Sequence, residues 1–362
     1  MGWLHRAGTI GPIGLDLGAH LVKAVQLRHS ADGWRLIAAA SIPRASGAPG
    51  LSGVEAQRIR AVLDRRGFRG NEIVVAVPND KLLTANLELP LRNPQMPFEQ
   101  IARQEFARSV KQDMQSFEFA FWDLPLPARA AKATHVLAVG CTTAQSEPML
   151  EGFDAAGFSV CAIDVEACAL ARACAPLLAP PEQITAILEI GWSSSRLSIV
   201  HRGIISYCRR LAGTGISTLR QSMAQQLELP DEVVEHLLND GGALSGKHDE
   251  NGVANQSRRA ICAHADALIG EVTTSLSYAA HQYPDAAVSR VLLAGGGTMI
   301  PGISDYFAAQ LGMDVRRVTL GDVLAGNRAS PVPGPLDTVE DTGAEMLVAA
   351  GLAQHQESKD EG

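Results

Sequence analysis

Short runs in which hydrophobic residues alternate with polar or small ones recur along the chain. The first run covers residues 13–17, and the alternation resumes over residues 22–27 after a break at Gly18. Alternation with a period of two predicts β-strands, and a glycine between two such runs predicts a tight turn. Asp16 lies in the first predicted strand, immediately before the turn. Because an uncompensated buried carboxylate is costly, Asp16 indicates chemistry rather than packing.

The same pattern returns near the middle of the chain. Aligning LDLG at residues 15–18 with LEIG at residues 188–191 places Glu189 on Asp16 and Arg196 on Lys23, an offset of 173 residues (189 minus 16). In both copies a second alternating strand, a glycine turn and a third strand follow. The repeat predicts two similar lobes, each presenting an acid and a glycine turn to a shared cleft.

An acid followed by a glycine turn suits a metal–phosphate group. Backbone N–H groups of such a turn can hold phosphate oxygens, and the carboxylate can reach an accompanying magnesium ion through water. A single Asp-x-Gly after a strand is more often an ordinary hairpin. Two copies half a chain apart favour the phosphate interpretation.

A third glycine element lies near the end of the chain, at Gly295, Gly296 and Gly297. It joins a buried-strand pattern over residues 291–294 to a helical pattern over residues 303–311. Glycines at this point let the backbone approach a ligand closely, although a tight strand–helix connection explains them equally well. The chain contains neither the dinucleotide-binding glycine pattern nor a P-loop, so those two site classes lack their motif.

Composition narrows the function classes. The 362 residues are 46% hydrophobic and 19% charged, with a net charge of −8, which argues against a nucleic-acid surface. The six cysteines form no C-x-x-C pair, so they indicate small core residues rather than zinc ligands or a disulfide framework. No apolar run approaches the roughly 20 residues of a membrane span. We expect a soluble cytoplasmic protein.

Taken together, the two acid–glycine turns and the triple glycine resemble the actin-like ATPase superfamily of actin, heat-shock chaperone ATPases, sugar kinases and the cell-division protein FtsA. The resemblance implies an α/β fold of two lobes, built from duplicated ribonuclease H-like domains. It implies ATP or ADP with Mg²⁺ as the ligand, Asp16 and Glu189 on the metal side, and Glu166 as the catalytic residue near the attacking water. The implied nucleotide contacts are Asp16, Gly18, Ala19, His20, Lys23, Glu189, Gly191, Gly213, Gly215, Glu235, Gly295, Gly296 and Gly297.

Within that superfamily the chain is most similar to the PilM-type assembly proteins of type IV pili. The matching segments include AIDVEACALARA, LRQSMAQQLELPDEVVEHL and AEMLVAAGLA, in the order of the family. The resemblance implies an ATP-binding scaffold on the inner face of the cytoplasmic membrane, within a pilus or a related secretion machine. It implies docking of the N-terminal cytoplasmic tail of a PilN-like bitopic membrane protein, contacts with other machine components, and no nucleic-acid partner or membrane insertion.

Several residues depart from the pattern of the superfamily. Ala19 and His20 stand where serine or threonine is usual, Glu189 replaces an aspartate, Trp192 follows the second turn, and Leu238 stands where a lysine often faces the base. Each departure removes a ligand contact worth about 1 kcal/mol. The departures therefore allow two alternatives: weakened nucleotide binding, or a relic, meaning a fold that no longer binds its ligand.

The inferred motifs also suggest how the chain is organised. Within the insertion predicted at residues 78–160, the helix over residues 97–110 should pack Phe98 and Phe106 into a core. The alternative is that this helix borders a groove that docks a peptide. The expected segments are 12–77 (first part of lobe one), 78–160 (inserted PilM- or FtsA-like subdomain), 161–200 (end of lobe one and start of the repeat), 201–325 (lobe two), 326–354 (connector and C-terminal helix) and 355–362 (disordered tail).

Two other function classes are alternatives to the scaffold, whose ATP hydrolysis would be slow or absent. A genuine ATP phosphotransferase of the sugar-kinase type needs an acidic base facing a sugar pocket, and no such signature is present. An FtsA-like polymer favours a C-terminal membrane-binding amphipathic helix. Here the C-terminal residues are polar and acidic.

Overall fold

The computed structural model describes residues 9–31, 33–44, 50–78, 80–125, 132–239, 244, 252–324 and 343–356. The expected connector, apart from the helix that ends it, and most of the expected tail lie outside these residues. The chain forms two compact units. The first comprises Met1–Ala175, Val323–Asp337 and Val348–Gly362, and the second comprises Pro176–Asp322 and Thr338–Leu347, each considered over its described residues.

Strands and helices are interspersed along the chain. Up to residue 175 they are β1 (Thr9–Leu17), β2 (Leu21–Ser30), β3 (Gly33–Pro43), α1 (Gly53–Arg65), β4 (Glu72–Val77), β5 (Leu83–Leu89), α2 (Phe98–Val110), β6 (Phe117–Asp123), β7 (Thr134–Thr142), α3 (Thr143–Ala155), β8 (Ser159–Val165) and α4 (Glu166–Ala173). Beyond it they are β9 (Ile184–Ile190), β10 (Ser194–His201), β11 (Ile204–Ala212), α5 (Ile216–Leu227), α6 (Asp231–Asn239), α7 (Val253–Gln282), β12 (Val288–Ala294), α8 (Ile303–Leu311), β13 (Asp314–Arg317), α9 (Leu320–Val323) and α10 (Leu347–Ala353).

Each unit contains its own five-stranded sheet, and the two sheets have the same topology. The strand order is β3-β2-β1-β4-β8 in the first unit and β11-β10-β9-β12-β13 in the second. In each, the first three strands pair antiparallel and the last two add in parallel. The predicted α/β duplication is therefore confirmed. The register pairs Asp16 with Lys23 and Glu189 with Arg196, as the sequence repeat requires.

The first unit packs two helices on one face of its sheet. Helix α1 begins where the Ser52 hydroxyl accepts a hydrogen bond from the Glu55 N–H at 3.1 Å, and it buries Ala56, Ile59 and Leu63 along one side. Helix α3 adds Met149 and Phe153 to the same core. Although the predicted insertion covers residues 78–160, α3 thus packs on the first sheet.

The segment from β5 to β7 forms a separate small sheet. Its order is β5-β7-β6, so β5 and β6 are edge strands. Helix α2 covers one face, and its Phe106 is fully buried against Phe117 and Phe119 of β6, with ring centroids 5.3 and 5.7 Å apart. The prediction that Phe98 and Phe106 belong to a core is confirmed.

Helix α10 packs closely within the first unit because small residues face its neighbours. A β-carbon at Gly14 of β1 would lie 2.0 Å from the carbonyl oxygen of Ala349, and one at Gly351 would lie 1.8 Å from that of Ala169 in α4. The Arg172 guanidinium also donates to the Gly351 carbonyl at 2.7 Å. The closing sequence AEMLVAAGLA is therefore a core segment.

The cysteines differ in how far they are buried. Cys141 and Cys174 are buried as predicted, whereas Cys161 is exposed because it lies on β8, an edge strand of its sheet. The prediction of a core role is wrong for that cysteine.

Among the residues described above, no helix has the length and hydrophobicity needed to cross a membrane.

Candidate functional site

The first acid–glycine turn connects β1 to β2 through Gly18, Ala19 and His20. Asp16 is buried, and its Oδ2 accepts a hydrogen bond from Lys23 Nζ at 2.7 Å across the hairpin. Ala19 and His20 are exposed. A β-carbon at Gly18 would lie 2.7 Å from the Leu21 carbonyl oxygen, so only glycine fits there without a shift of the backbone.

Arg44, the residue after β3, holds this turn from one side. Its Nη1 donates to the Gly18 carbonyl at 3.2 Å, and its backbone N–H donates to the His20 carbonyl at 2.9 Å. Glu55 of α1 accepts two hydrogen bonds from the same guanidinium, at 2.8 and 3.0 Å. Such a bidentate arginine–carboxylate pair is strong and fixes the orientation of the guanidinium. Both side chains are largely buried.

The second acid–glycine turn connects β9 to β10. The Glu189 carboxylate and the Arg196 guanidinium form an ion pair across the hairpin, with Oε2 and Nη1 3.6 Å apart. Arg196 is 4% exposed and Glu189 is 14% exposed at the side chain. The second unit thus reproduces the acid–cation pair of the first with longer side chains.

The N-terminus of α5 holds the second turn. The backbone N–H groups of Ile216 and Ser217 donate to the carbonyls of Gly191 and Trp192 at 3.0 and 2.9 Å. A β-carbon at Gly215 would lie 2.3 Å from the Trp192 carbonyl oxygen, which accounts for a glycine at the start of this helix. Gly213 instead has a positive φ of 74° with open space around it.

The triple glycine also packs at this end of β9. Ala294 pairs with Glu189 in the sheet, and a β-carbon at Gly295 would lie 2.6 Å from the Ile190 carbonyl oxygen. A β-carbon at Gly297 would lie 2.2 Å from a side-chain carbon of Ile190. Gly296 has more room. Two of the three glycines are therefore required by close packing, and Gly296 is the one with room for a ligand.

Predicted site residues outside these turns occupy different places. Glu166 is the first residue of α4 and is 9% exposed, at a helix N-terminus that favours a carboxylate. Glu235 of α6 is exposed and pairs with Arg220 at 3.4 Å, and the Arg220 guanidinium lies 5.1 Å from the ring of Trp192 in the second turn. Leu238 is buried in the core of the second unit.

The loop between Gly213 and Gly215 is held by a histidine that sequence reasoning did not single out. The Thr214 carbonyl lies 3.1 Å from Nε2 of His264 in α7, so Nε2 carries the proton and donates. Burial lowers the pKa of His264, and the hydrogen bond to Thr214 offsets part of that effect. His264 is therefore a neutral donor at physiological pH.

The structure brings some predicted residues together within each unit. In the first unit it joins Asp16, Gly18 and Lys23 in one hairpin. In the second it gathers Glu189, Gly191, Gly215 and Gly295 around the end of β9. The residues that sequence reasoning missed are Arg44, Glu55 and His264. An arginine one residue beyond a strand and a glutamate at the third position of the next helix were the available signals for the first two.

A family model described as type IV pilus assembly protein PilM matches residues 14–356. The chain belongs to the PilM family. Among solved structures, it is similar to a PilM–PilN type IV pilus biogenesis complex, with 21% identity, a TM-score of 0.78, and coverage of 95% of this chain and 97% of that chain.

More distant structures share the fold of this PilM-family chain. Ethanolamine utilization protein EutJ from Carboxydothermus hydrogenoformans is 14% identical, with a TM-score of 0.57 and coverage of 96% and 90% of the two chains. MreB5 of Spiroplasma citri bound to AMPPNP is 13% identical, with a TM-score of 0.53 and coverage of 94% and 93%. At these identities the likeness shows the actin-like ATPase fold, in agreement with the expectation from the sequence.

Proposed function

We propose that this PilM-family chain is an adenine-nucleotide-binding scaffold of a type IV pilus or a related secretion machine, with each hairpin turn serving as a phosphate-binding element. One observation carries the nucleotide part. The turns in both units have carbonyls held from one side by hydrogen-bond donors, and both lie beside an acid–cation pair. Support comes from the fold shared with MreB5, which was solved with AMPPNP.

In this proposal Lys23 would contact a phosphate group, and the carboxylates of Asp16 in the first unit and Glu189 in the second would each be available to Mg²⁺ through water. No group of three or more His, Cys, Asp or Glu side chains among the described residues could hold a metal by itself. One or two carboxylates suit Mg²⁺, which keeps several waters and is held largely by substrate phosphates. Magnesium bound in this way would neutralise phosphate charge.

A thermal-shift titration with Mg-ATP tests nucleotide binding. Ligand at 100 times its dissociation constant adds about 2.7 kcal/mol of stability, so the melting temperature should rise with millimolar Mg-ATP. A folded sample that shows no response at any concentration would contradict the proposal and indicate a relic fold.

Two substitutions separate binding from turnover. Asp16→Asn should weaken the magnesium-dependent part of ATP binding, because it removes the charge that faces the metal. Glu166→Gln should leave binding nearly intact and reduce any slow hydrolysis, because Glu166 would act only on the attacking water. Equal losses of ATP affinity in both variants would mean that Glu166 is misassigned.

For the scaffold part, we assign partner docking to the small sheet of β5, β6 and β7. A cavity of about 340 Å³ lies beside edge strand β5 and helix α2, lined by Asn86, Leu87, Glu88, Glu105, Arg108 and Ser109. An edge strand beside a groove suits an extended tail that adds to the sheet. The proposed occupant is the N-terminal tail of a PilN-like inner-membrane protein, which would hold this chain at the inner face of the membrane.

Calorimetric titration with the tail peptide of the adjacent gene's membrane protein tests docking. Glu88→Arg combined with Glu105→Arg should weaken binding at least tenfold, because two long arginine side chains would then occupy the groove beside β5. The control is Glu118→Arg on β6, which adds positive charge at the opposite edge of the same sheet and should leave affinity unchanged. If the control loses as much affinity as the double variant, docking is not at the β5 edge.

A further inference from the structure

We infer that Arg44 and Glu55 position the first turn for phosphate binding, as the N-terminus of α5 does for the second. The inference rests on the nucleotide binding proposed above. It concerns two residues that lie outside the glycine motif and that present no group of their own to the ligand.

The first step is the geometry of the peptide between Gly18 and Ala19. No peptide bond among the described residues is cis, so the carbonyl of Gly18 and the N–H of Ala19 point in opposite directions. Arg44 Nη1 binds that carbonyl at 3.2 Å. The Ala19 N–H is consequently directed away from Arg44, on an exposed residue, where an anion can reach it.

The second step is the matching arrangement in the second unit. There the N–H groups of Ile216 and Ser217 hold the carbonyls of Gly191 and Trp192. By the same peptide geometry, the N–H groups of Trp192 and Ser193 point away from α5. Gly18 and Gly191 are equivalent in the repeat, so the Arg44 guanidinium occupies the role of a helix N–H.

The third step explains why a side chain is needed in the first unit. Helix α5 begins four residues after β11, whereas α1 begins ten residues after β3. The start of α1 reaches the first turn through Glu55, in its first helical turn, which accepts two hydrogen bonds from Arg44. The pair therefore carries the orienting effect of a helix start across that gap.

The fourth step concerns the ligand. Ala19 and His20 supply no hydroxyl of the kind usual in this turn, so phosphate binding here depends on backbone N–H groups whose orientation Arg44 sets. Preorganised amides bind an anion more tightly than mobile ones, because the ordering entropy is not lost on binding. Arg44 and Glu55 are thus positioning residues.

The experiment measures Mg-ATP affinity by calorimetry for wild type, Arg44→Met, Glu55→Gln and Asp64→Asn. We expect about tenfold weaker binding for R44M, a smaller loss for E55Q and no change for D64N. Asp64 lies on the same helix and pairs with Arg60 at the surface, so D64N is the matched control. If R44M does not fold, E55Q carries the same test.

A second readout distinguishes positioning from general destabilisation. Competition by inorganic tripolyphosphate against a fluorescent ATP analogue should weaken as much as ATP itself in R44M, while competition by adenosine stays as in wild type. Equal losses for both competitors, or unchanged ATP affinity in folded R44M and E55Q, would overturn the inference but not the proposed function. Absence of ATP binding by the wild type would overturn the proposed function and the inference with it.

Discussion

The two hairpins have the same register and carry an acid–cation pair at the same positions, but different groups hold their turns. In the first, Lys23 lies 2.7 Å from a buried aspartate and a side chain holds the turn. In the second, Arg196 lies 3.6 Å from a longer glutamate and backbone N–H groups of α5 hold the turn. The second turn therefore depends on glycines that let α5 approach, and the first depends on an arginine–glutamate pair. Equivalent geometry has been reached by backbone contacts in one unit and by side chains in the other.

The largest effect is expected where α5 approaches the second turn. Gly215→Ala would place a β-carbon within 2.5 Å of three backbone atoms of residues 192–194, none of which can rotate away. We expect a loss of about 3 kcal/mol in the free energy of unfolding. Gly213→Ala is the control, since open space surrounds it and only its positive φ is strained, at about 1 kcal/mol. Chemical denaturation measures both, and equal losses would contradict the close approach of α5.

The two ion pairs should differ in what their loss costs. Lys23→Met leaves the Asp16 carboxylate, which is 3% exposed, without its cross-strand cation, and we expect a loss of about 2 kcal/mol in folding free energy. Arg196→Met removes a more distant contact to a less buried carboxylate, and we expect about 1 kcal/mol. Urea unfolding of both variants at pH 7 makes the comparison. A greater loss in R196M would mean that Arg196 is the more important cation for folding.

Sequence reasoning recovered the parts of this site that repeat by residue type. The acid, the glycine and the cation lie within eight residues in each copy, so alternation and spacing were sufficient to place them on paired strands. The supports could not be predicted in the same way. In the second unit they are backbone N–H groups, which every residue but proline carries. In the first unit they join Arg44 to Glu55 and to Gly18, residues that no local pattern connects.

The glycines show the same limit from another side. Gly295 and Gly297 were assigned to the nucleotide, yet each packs against Ile190 closely enough to explain its presence. A glycine needed by a ligand and one needed by a neighbouring strand have the same signature in the sequence. Only the position of the neighbouring atoms distinguishes them.

The stability of the protein should also depend on pH through His264, which holds the loop between Gly213 and Gly215 in the second unit. Burial lowers the pKa of this histidine, so the folded protein keeps it neutral while the unfolded chain takes up a proton near pH 6.5. The unfolded state then binds more protons, and stability falls as the pH drops below about 6.5. His264→Gln keeps a donor for the Thr214 carbonyl and should flatten the dependence between pH 5 and 7.

Thermal melts across that pH range test the assignment. Exposed His236 on α6 is the control, and His236→Gln should leave the pH dependence as in wild type. Buried His201, whose pKa burial also lowers, remains in both variants and contributes the same slope. An unchanged slope in the His264 variant would show that burial does not keep this histidine neutral in the folded protein.

The smallest effects should come from single hydroxyl groups at the turns. Ala19 is exposed beside an N–H that points away from Arg44, so Ala19→Ser adds a second donor at the same place. One new hydrogen bond of about 1 kcal/mol corresponds to roughly fivefold tighter Mg-ATP binding. In the second unit Ser193 is exposed at the equivalent turn, and Ser193→Ala should weaken binding by a similar or smaller factor. Calorimetry on both variants compares the turns directly, because one substitution adds the group that the other removes. If A19S leaves affinity unchanged while S193A lowers it, phosphate contacts are concentrated at the second turn, and the departures at Ala19 and His20 have removed the first turn from the ligand.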